Sequence, residues 1–338
     1  KLTGNSPVLP TSFQVGVAAQ SSIAVAALAA TELEGQRNGK LQSVSIDMKQ
    51  AELECTGYFI VNGKVPESWA PLSGLYPCKD GYVRIHANFN HHRDGALKIL
   101  GLNNLSKNYR KEDVSNALSQ WAAIDYETAA AEANMVVSAA RSFSAWDKHP
   151  HAKIIEQLPL ITFEKIGEAE PLELPNLAQN QKALAGLKVV DLTRILAGPV
   201  CGRTLAAYGA DVMLVNSPEL PNIEHIADTS RGKISTLLDL NKTSDNAKLL
   251  ELVRDAHIFV QGYRPGGLAK LGFSPEQLAE IRPGLSYVTL SAYGHQGPWS
   301  NRRGFDSLVQ TATGFNFAEA EAAGSNSPKA LPVQILDY

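Results

Sequence analysis

The chain has 338 residues, which at about 150 residues per domain predicts about two domains. It is 44% hydrophobic and 19% charged, with a formal net charge of −3, which is typical of a globular protein and excludes a strongly basic nucleic-acid binder, though not a local basic pocket. No uninterrupted run of about 18 apolar residues occurs, so we expect no membrane span.

The cysteine pattern predicts a reducing compartment. Cys55, Cys78 and Cys201 are odd in number and far apart, so they form no disulfide framework and no CxxC metal motif. We therefore expect a cytoplasmic location. The sequence begins with Lys1 and stops at Tyr338, from which we expect a fragment or a processed chain.

Residues 1–60 are predicted to be a helical segment that belongs with the larger domain. The alanine-rich run Ala18–Leu33 favours a helix that continues until Asn38-Gly39 ends it. The alternation in Leu41–Asp47 indicates a strand or an extended entry to a second helix, Met48–Phe59.

Residues 61–167 are predicted to form a small α+β domain. Glycines and prolines between 63 and 77 indicate a loop, and Gly81–Ala87 then alternates with the period of a strand. The other elements predicted here are helices at 94–100, 111–122, 126–134 and 152–157 and a strand at 135–138. Residues 168–185, rich in Pro, Asn and Gln, are predicted to be a linker.

Residues 186–338 alternate strands with helices. Strands are predicted at 187–192, 211–215, 236–240, 257–261 and 286–291, and helices at 199–208, 243–255 and 275–281. This rhythm predicts an α/β fold with a Rossmann-like, mostly parallel sheet and helices on both faces. Right-handed crossovers would place the loops after the strands at one edge, where ligands bind in such sheets.

Two loops at this edge carry residues suited to a phosphate-bearing ligand. The segment Asp191–Pro199 resembles a dinucleotide-binding turn but lacks GxGxxG, which disfavours a nicotinamide cofactor. Gly198 followed by Pro199 at a first helical position suits close ligand approach, although a plain helix N-terminus fits equally well. Lys233 and Arg264, in loops near strand ends, could contact phosphates, although each alone could be a solvated surface charge.

The segments Gly186–Pro199 and Leu205–Val212 resemble the opening of class III CoA-transferases. That family includes formyl-CoA and carnitine CoA-transferases and the α-methylacyl-CoA racemases. The same order continues in short motifs at 231–233, 238–240, 263–266, 271–273, 291–294, 297–298 and 304–306 and at Gln310. The sequence departs from the family at Asn216, where an acidic residue is usual, and at Gln261–Tyr263, where Glu-Asn-Phe is common.

The resemblance implies a CoA-transferase with Asp337 as the covalent nucleophile. It implies transfer of CoA between carboxylic acids through aspartyl anhydride and aspartyl-CoA thioester intermediates, with acyl-CoA as a substrate, no permanently bound cofactor and no metal. The alternative for Asp337 is a helix cap. The residues expected to bind CoA are Arg194, Ala197, Gly198, Pro199, Lys233, Tyr263 and Arg264. A homodimer is expected, as in the interlocked dimers of the family, with no nucleic-acid or membrane partner.

Three further functions on the same fold stay open. A racemase needs an acid and a base on opposite faces of a carbon, and the racemases that the chain resembles carry His where Phe305 stands. His295 would have to substitute. A lyase and a non-catalytic CoA-binding homologue are the second and third of these functions.

The small domain resembles the later part of the family, so the family's order is swapped in this chain. Tyr76–Ile85 resembles the small-domain strand, and a strand at 158–166 is expected to close the domain. Leu9–Val15 also aligns with Leu331–Asp337, which puts Val15 at the carboxylate position. We therefore expect a tandem arrangement in which the front copy lacks the nucleophile.

The histidines and Cys201 attract weaker interpretations. His91 and His92 would point apart in a strand, and no HxxxH spacing occurs, so a zinc site is not predicted. His91–Arg93 is a candidate border of the acyl or CoA channel. Cys201 lies near a helix start, but no His is adjacent, which favours a packed thiol.

Overall fold

The computed structural model describes residues 1–5, 7–104, 108–172 and 174–338. Residue 6, residues 105–107 and residue 173 fall within the predicted helical segment, small domain and linker, and lie outside the described residues. The described strands are β1 (Leu2–Thr3), β2 (Ile46–Asp47), β3 (Gly74–Pro77), β4 (Tyr82–Ile85), β5 (Val137–Ala139), β6 (Lys188–Leu192), β7 (Asp211–Asn216), β8 (Lys233–Leu237), β9 (Ile258–Gln261) and β10 (Ser286–Thr289).

The helices follow the same chain order. In the described residues they are α1 (Val15–Asn38), α2 (Met48–Glu54), α3 (Asn90–Ile99), α4 (Lys111–Leu118), α5 (Ala123–Glu132), α6 (Phe143–Asp147), α7 (Pro150–Ile155), α8 (Ala197–Ala207), α9 (Ile226–Thr229), α10 (Thr243–Arg254), α11 (Pro275–Ile281), α12 (Asp306–Thr313) and α13 (Phe315–Ala322). A short 3₁₀ turn spans Ala269–Leu271.

The larger sheet is parallel, and its strands lie in the order β10-β9-β6-β7-β8. The central strand β6 buries Val189, Val190 and Leu192, the apolar run expected of a strand covered on both faces. Local signals set the helix ends: Ser274 and Gln277 form a capping box at the start of α11. The predicted α/β fold class is confirmed.

The smaller sheet is antiparallel, in the order β3-β4-β5. One face of β4 packs into a core with Val83 and Ile85. Helix α12, which comes from the second half of the chain, also packs against β4 and β5. The Arg141 N–H donates to the Thr311 carbonyl at 3.1 Å, which ties the two parts together.

Several predicted elements were misplaced. The strand expected at 236–240 lies at Lys233–Leu237, since the chain turns immediately after Gly232. The expected loop before residue 78 contains β3, in which Pro77 occupies only the terminal pair of the ladder. Residues 158–166 form no strand, and the Leu160 and Phe163 side chains are exposed. Helix α2 ends at Glu54 instead of continuing to residue 59.

The first 60 residues contact the end of the chain. Val15 and Ala19 of α1 pack in one apolar cluster with Leu331 and Val333. At the other end of α1, the Arg37 guanidinium donates to the carbonyls of Pro175 and Ala183. The division into domains stays a prediction.

Helix α1 is long and apolar enough to cross a membrane by length and composition alone. Of its most apolar 18-residue window, 39% is buried inside the structure. Core helices of soluble proteins and signal sequences meet the same two criteria, so α1 carries no conclusion about membranes.

Candidate active site

The carboxyl ends of β6 and β9 lie at the point where the strand order of the sheet reverses, which is where an open α/β sheet has its ligand crevice. The two strands are neighbours, and the chain leaves β6 toward β7 on the opposite side. Gly262, after β9, lies so close to Thr193, after β6, that a Cβ at this glycine would be 3.9 Å from the Thr193 Cβ. The loops predicted to bind CoA, at Arg194–Pro199 and Tyr263-Arg264, therefore meet in this crevice.

The loop after β6 has an unusual backbone. Ile195 has φ +76°, a left-handed conformation that a β-branched residue rarely adopts. A Cβ on Gly198 would lie 2.5 Å from the Thr193 Cβ, so only glycine fits there. Helix α8 begins at Ala197, so Pro199 is its third residue, not its first as predicted. It still costs no helical hydrogen bond, because the N–H groups of the first turn have no partner within a helix.

Lys233 does not have the position expected of a phosphate contact. Its ammonium is fully buried and donates to the Asp191 carboxylate and the Pro199 carbonyl, both at 2.8 Å. Asp191 also accepts from the backbone and hydroxyl of Thr193. The predicted role of Lys233 is corrected: the side chain holds the end of β6 and the start of α8 together, and it is not exposed to a ligand in the crevice.

Arginine side chains surround the crevice without acidic partners. Among the described residues, no carboxylate forms an ion pair with Arg194, Arg264 or Arg303. Arg194 donates to the Pro221 carbonyl, while its buried Nε has no partner. Arg264 is exposed and donates to Asn134 and to the Asn301 carbonyl. The net-acidic chain thus concentrates unpaired positive charge at this edge.

Two histidines of α3 complete this basic cluster. The Arg303 guanidinium lies 2.6 Å from the His92 Nε2 and 3.4 Å from the His91 Nε2. The imidazole centroids are 4.1 Å apart, and both residues lie in the first turn of α3. Burial and then His91, Arg303, His86 and Arg194 lower the pKa of His92 to about 3, so His92 is neutral at pH 7.

Asp337 lies in a turn that Asp306 holds from the side. The Asp337 N–H donates to the Gln334 carbonyl at 3.0 Å, and the preceding residue, Leu336, donates its N–H to the Asp306 carboxylate at 3.0 Å. Gln310, one turn further along α12, donates to Asp306 at 2.5 Å. It also accepts the Leu331 N–H at 3.1 Å, so α12 fixes both ends of the segment that leads to Asp337.

The two carboxyl groups interact electrostatically. Burial, and then the neighbouring Asp306 carboxylate, raise the pKa of Asp337 well above its usual range. Burial raises the pKa of Asp306 to about 7, opposed by the hydrogen bonds from Leu336 and Gln310 and by the Arg84 charge. Asp337 is half-buried, whereas Asp306 is buried. A carboxyl group in such surroundings is less hydrated than one at the surface, which favours reaction of its charged form with an electrophile.

The small domain brings Arg84 and His86 to this region. Both side chains are buried, and the His86 ring stacks on Phe305, the residue before Asp306, with centroids 4.1 Å apart. Arg84 lies over the Trp69 ring, 4.7 Å from its centroid. Burial, and then the Arg84 charge, lower the pKa of His86 to about 3.

Sequence reasoning gave no role to Asp306, Gln310, Arg84 or His86. Asp306 and Gln310 lie in the motifs that carry the family resemblance, and that resemblance was the signal that could have identified them. Arg84 and His86 lie two positions apart in the predicted strand Gly81–Ala87, so their side chains share one face. Two polar side chains on one face of a buried strand were the signal that could have identified this pair.

The remaining candidate side chains lie elsewhere or are inert. His295 is exposed and pairs with the Thr289 hydroxyl at 2.9 Å. Burial, and then Asp191, raise the pKa of the Cys201 thiol, which disfavours a thiolate. Within the described residues, no group of three or more His, Cys, Asp or Glu side chains could hold a metal ion.

A cleft of about 740 Å³ adjoins the turn that contains Asp337. Its walls include the end of α2, the following loop and Arg203. Tyr338 packs against two residues that line it: its ring lies 5.9 Å from the Arg203 guanidinium, and a Cβ on Gly57 would lie 2.2 Å from its hydroxyl. The residue after Asp337 therefore contacts the wall of this cleft.

The family model described as CoA-transferase family III matches residues 2–151 and 184–338. The chain is 38% identical over 170 residues to acetyl-coenzyme A transferase nodX of Hypoxylon pulicicidum, which covers 48% of this chain and 29% of that protein. It is 30% identical over 244 residues to an acyl-CoA transferase of Gibberella moniliformis, covering 68% of this chain and 43% of that protein. For the succinate–glutarate CoA-transferase of Agrobacterium fabrum the identity is 33% over 184 residues, with 49% and 45% covered.

Among solved structures, a CAIB/BAIF family protein from Brucella suis matches with 31% identity and a TM-score of 0.40, covering 47% of this chain and 46% of that one. The chain thus spans less than half the length of each of these relatives.

Proposed function

Because this chain belongs to CoA-transferase family III, we propose that the full-length protein transfers CoA between carboxylic acids with Asp337 as its covalent nucleophile. The observation that carries this proposal is the position of Asp337. Its carboxyl group is half-buried beside Asp306, and the Leu336 amide anchors its turn to α12.

The proposed reaction begins when a carboxylate oxygen of Asp337 attacks the thioester carbonyl of acyl-CoA. The C–S bond breaks, CoA leaves as a thiolate, and a mixed anhydride forms. The thiolate then attacks the aspartyl carbonyl, which releases the first acid as its carboxylate and leaves an aspartyl-CoA thioester. An incoming carboxylate repeats the two steps in reverse and regenerates the Asp337 carboxylate, so no net proton, electron or water is consumed.

The basic cluster supports CoA as the group transferred. Arg194, Arg264 and Arg303 have no acidic partner among the described residues and surround the crevice at the switch point of the sheet. A ligand with phosphates would neutralise them through charge-assisted hydrogen bonds. In this proposal, Ala197, Gly198 and Pro199 shape the crevice, Tyr263 borders it, and CoA is a substrate, not a permanently bound cofactor.

The racemase alternative finds no support in these side chains. Phe305 cannot exchange a proton, and His295 is exposed and bonded to Thr289. The homodimer and the cytoplasmic location remain proposals of this account.

The proposal is tested by incubating the full-length protein with acetyl-CoA or succinyl-CoA and a panel of mono- and dicarboxylic acids. Mass spectrometry of the CoA esters should reveal a new acyl-CoA in equal amount to the donor lost. Asp337→Asn should abolish its formation. Exchange of an α-proton with deuterated water, without any new CoA ester, would support a racemase instead, and binding of CoA with neither reaction would support a non-catalytic homologue.

A further inference from the structure

Arg84 and His86 are buried polar side chains without hydrogen-bond partners. Their residues are 7% and 5% exposed. Within the described part of the chain, neither side chain makes a hydrogen bond or an ion pair, and Arg84 Nε and His86 Nδ1 are completely buried without a partner. The two residues lie two positions apart, on and just after β4, so both side chains are on the same face of the strand.

A buried guanidinium without an acceptor is costly. The Arg84 Nε–H is completely buried, and a buried donor of a charged group that leaves water without gaining an acceptor destabilises the protein. The cation–π contact with Trp69 engages the face of the guanidinium and forms no hydrogen bond with the donors at its edge. Unsatisfied buried groups in a native protein call for an explanation such as an ordered water or a bound ion, and an anion is the partner that matches a guanidinium.

The location of the pair indicates which anion is missing. The His86 ring lies parallel to Phe305, with 13° between the ring planes, and Asp306 is the next residue along the chain. Arg84 interacts electrostatically with Asp306 but forms no hydrogen bond with it. Asp306 in turn anchors the residue before Asp337. The unpaired donors therefore face the region where the acid substrate of the proposed reaction must arrive.

We propose that Arg84 and His86 bind the carboxylate of the acid substrate, with Arg84 as its charged partner. This inference rests on the proposed function and adds a binding site for the second substrate. The Arg84 edge presents parallel N–H groups that match the two oxygens of a carboxylate, and the flat rings of His86, Phe305 and Trp69 form the walls beside it.

Electrostatics explains why such a cation is needed here. An anionic acid that approaches Asp306 and Asp337 is repelled by whichever of the two carboxylates is ionised. Arg84 opposes that repulsion in a poorly solvated region, where charges interact strongly. The phosphates of CoA have a separate set of proposed partners. Arg194, Arg264 and Arg303 lie around the crevice of the larger sheet, and Arg303 is beside the histidines of α3.

The test uses the full-length protein and trifluoroacetate as a probe, observed by ¹⁹F NMR. We expect saturable binding that acetate displaces. Arg84→Gln should weaken it about tenfold or more, the effect of losing a hydrogen-bonded ion pair. His86→Phe, which keeps the stacked ring and removes its nitrogens, should weaken it several-fold. The matched control Arg110→Gln changes an exposed arginine of the same domain and should leave binding unchanged.

Equal trifluoroacetate affinity in the wild type and in Arg84→Gln would overturn the inference. Stronger displacement by adenosine 3′,5′-bisphosphate than by acetate would also overturn it, since the site would then bind a phosphate. If Arg84→Gln fails to fold, Arg84→Lys with His86→Phe decides, and unchanged affinity in both contradicts the proposal. Failure of the proposed function would be seen separately. If trifluoroacetate binding depends on Arg84 but no CoA transfer occurs, the carboxylate-binding site is supported and the proposed reaction is contradicted.

Discussion

The Asp306 carboxylate accepts the backbone N–H of Leu336 at 3.0 Å, across 30 residues of sequence. The contact anchors the turn immediately before Asp337 to the first residue of α12. It also sets two acidic groups beside each other in a region of low hydration, where each disfavours the ionisation of the other. The position and the ionisation of Asp337 therefore depend on one neighbouring side chain.

We predict that activity has an acid limb well above the usual pKa of an aspartate. Only ionised Asp337 can attack a thioester, and burial together with Asp306 raises its pKa, so the ionised fraction falls as the pH falls through that raised value. Asp306→Asn removes the neighbouring charge, so the acid limb of kcat/KM should move to lower pH. The surface variant Asp255→Asn is the control and should leave the limb in place. An unmoved limb in Asp306→Asn would contradict the coupling.

The Lys233–Asp191 pair should be a major source of stability. Lys233→Met leaves a fully buried carboxylate with one partner fewer and should destabilise the protein by about 3–5 kcal/mol. The exposed pair of Lys188 and Asp255 provides the comparison: Lys188→Met should cost at most about 1 kcal/mol. Denaturant unfolding of the two variants measures both, and equal costs would show that Lys233 is not the structural residue described.

Removing an unpaired arginine from the crevice should weaken CoA binding. Arg303→Gln would lose a charge-assisted hydrogen bond to a CoA phosphate. The Kd for CoA should therefore rise about tenfold or more, and it should depend less on salt concentration. Isothermal titration with CoA at two salt concentrations measures this, and Arg110→Gln serves as the control. An unchanged Kd in Arg303→Gln would place the phosphates elsewhere.

The turn after β6 should not tolerate a methyl group. Gly198→Ala puts a Cβ 2.5 Å from the Thr193 side chain, which forces the loop apart at a cost of about 1–3 kcal/mol and should reduce CoA affinity. Gly81→Ala is a suitable control, because its nearest neighbour would lie at 3.8 Å, an ordinary contact. Thermal unfolding and CoA titration of both variants compare the two sites, and equal behaviour would contradict the close packing of this turn.

The parallel sheet could be predicted because its central strands carry local signals. Runs such as Lys188–Leu192 and Ile258–Gln261 combine β-branched and apolar residues, and a glycine follows each within six residues. Helix α12 has no comparable pattern. Its buried face includes the polar residues Gln310 and Thr311, and Gln310 bonds to the backbone of Leu331 and Val333, which lie 21 and 23 residues further along the chain and cannot be paired with it from local sequence.

Motifs in the sequence mark candidate site residues in the same way, and their catalytic and binding roles stay predictions. Asp337, the loop from Arg194 to Pro199 and Lys233 all lie in motifs that carry the family resemblance. The motif did not reveal that the Lys233 side chain is buried. Its partner Asp191 is 42 residues away, and only the pairing of β6, β7 and β8 brings the two together. The stacking of His86 on Phe305 likewise depends on how α12 packs on β4, which no local pattern encodes.

The central claim is that Asp337 becomes covalently acylated, and trapping with hydroxylamine tests it most directly. The full-length protein is incubated with acyl-CoA and hydroxylamine, digested and mapped by mass spectrometry. A hydroxamate should form on Asp337 only when acyl-CoA is present, and Asp337→Asn should show neither the hydroxamate nor CoA transfer. CoA transfer by the wild type with an unmodified Asp337, or transfer that persists in Asp337→Asn, would contradict it.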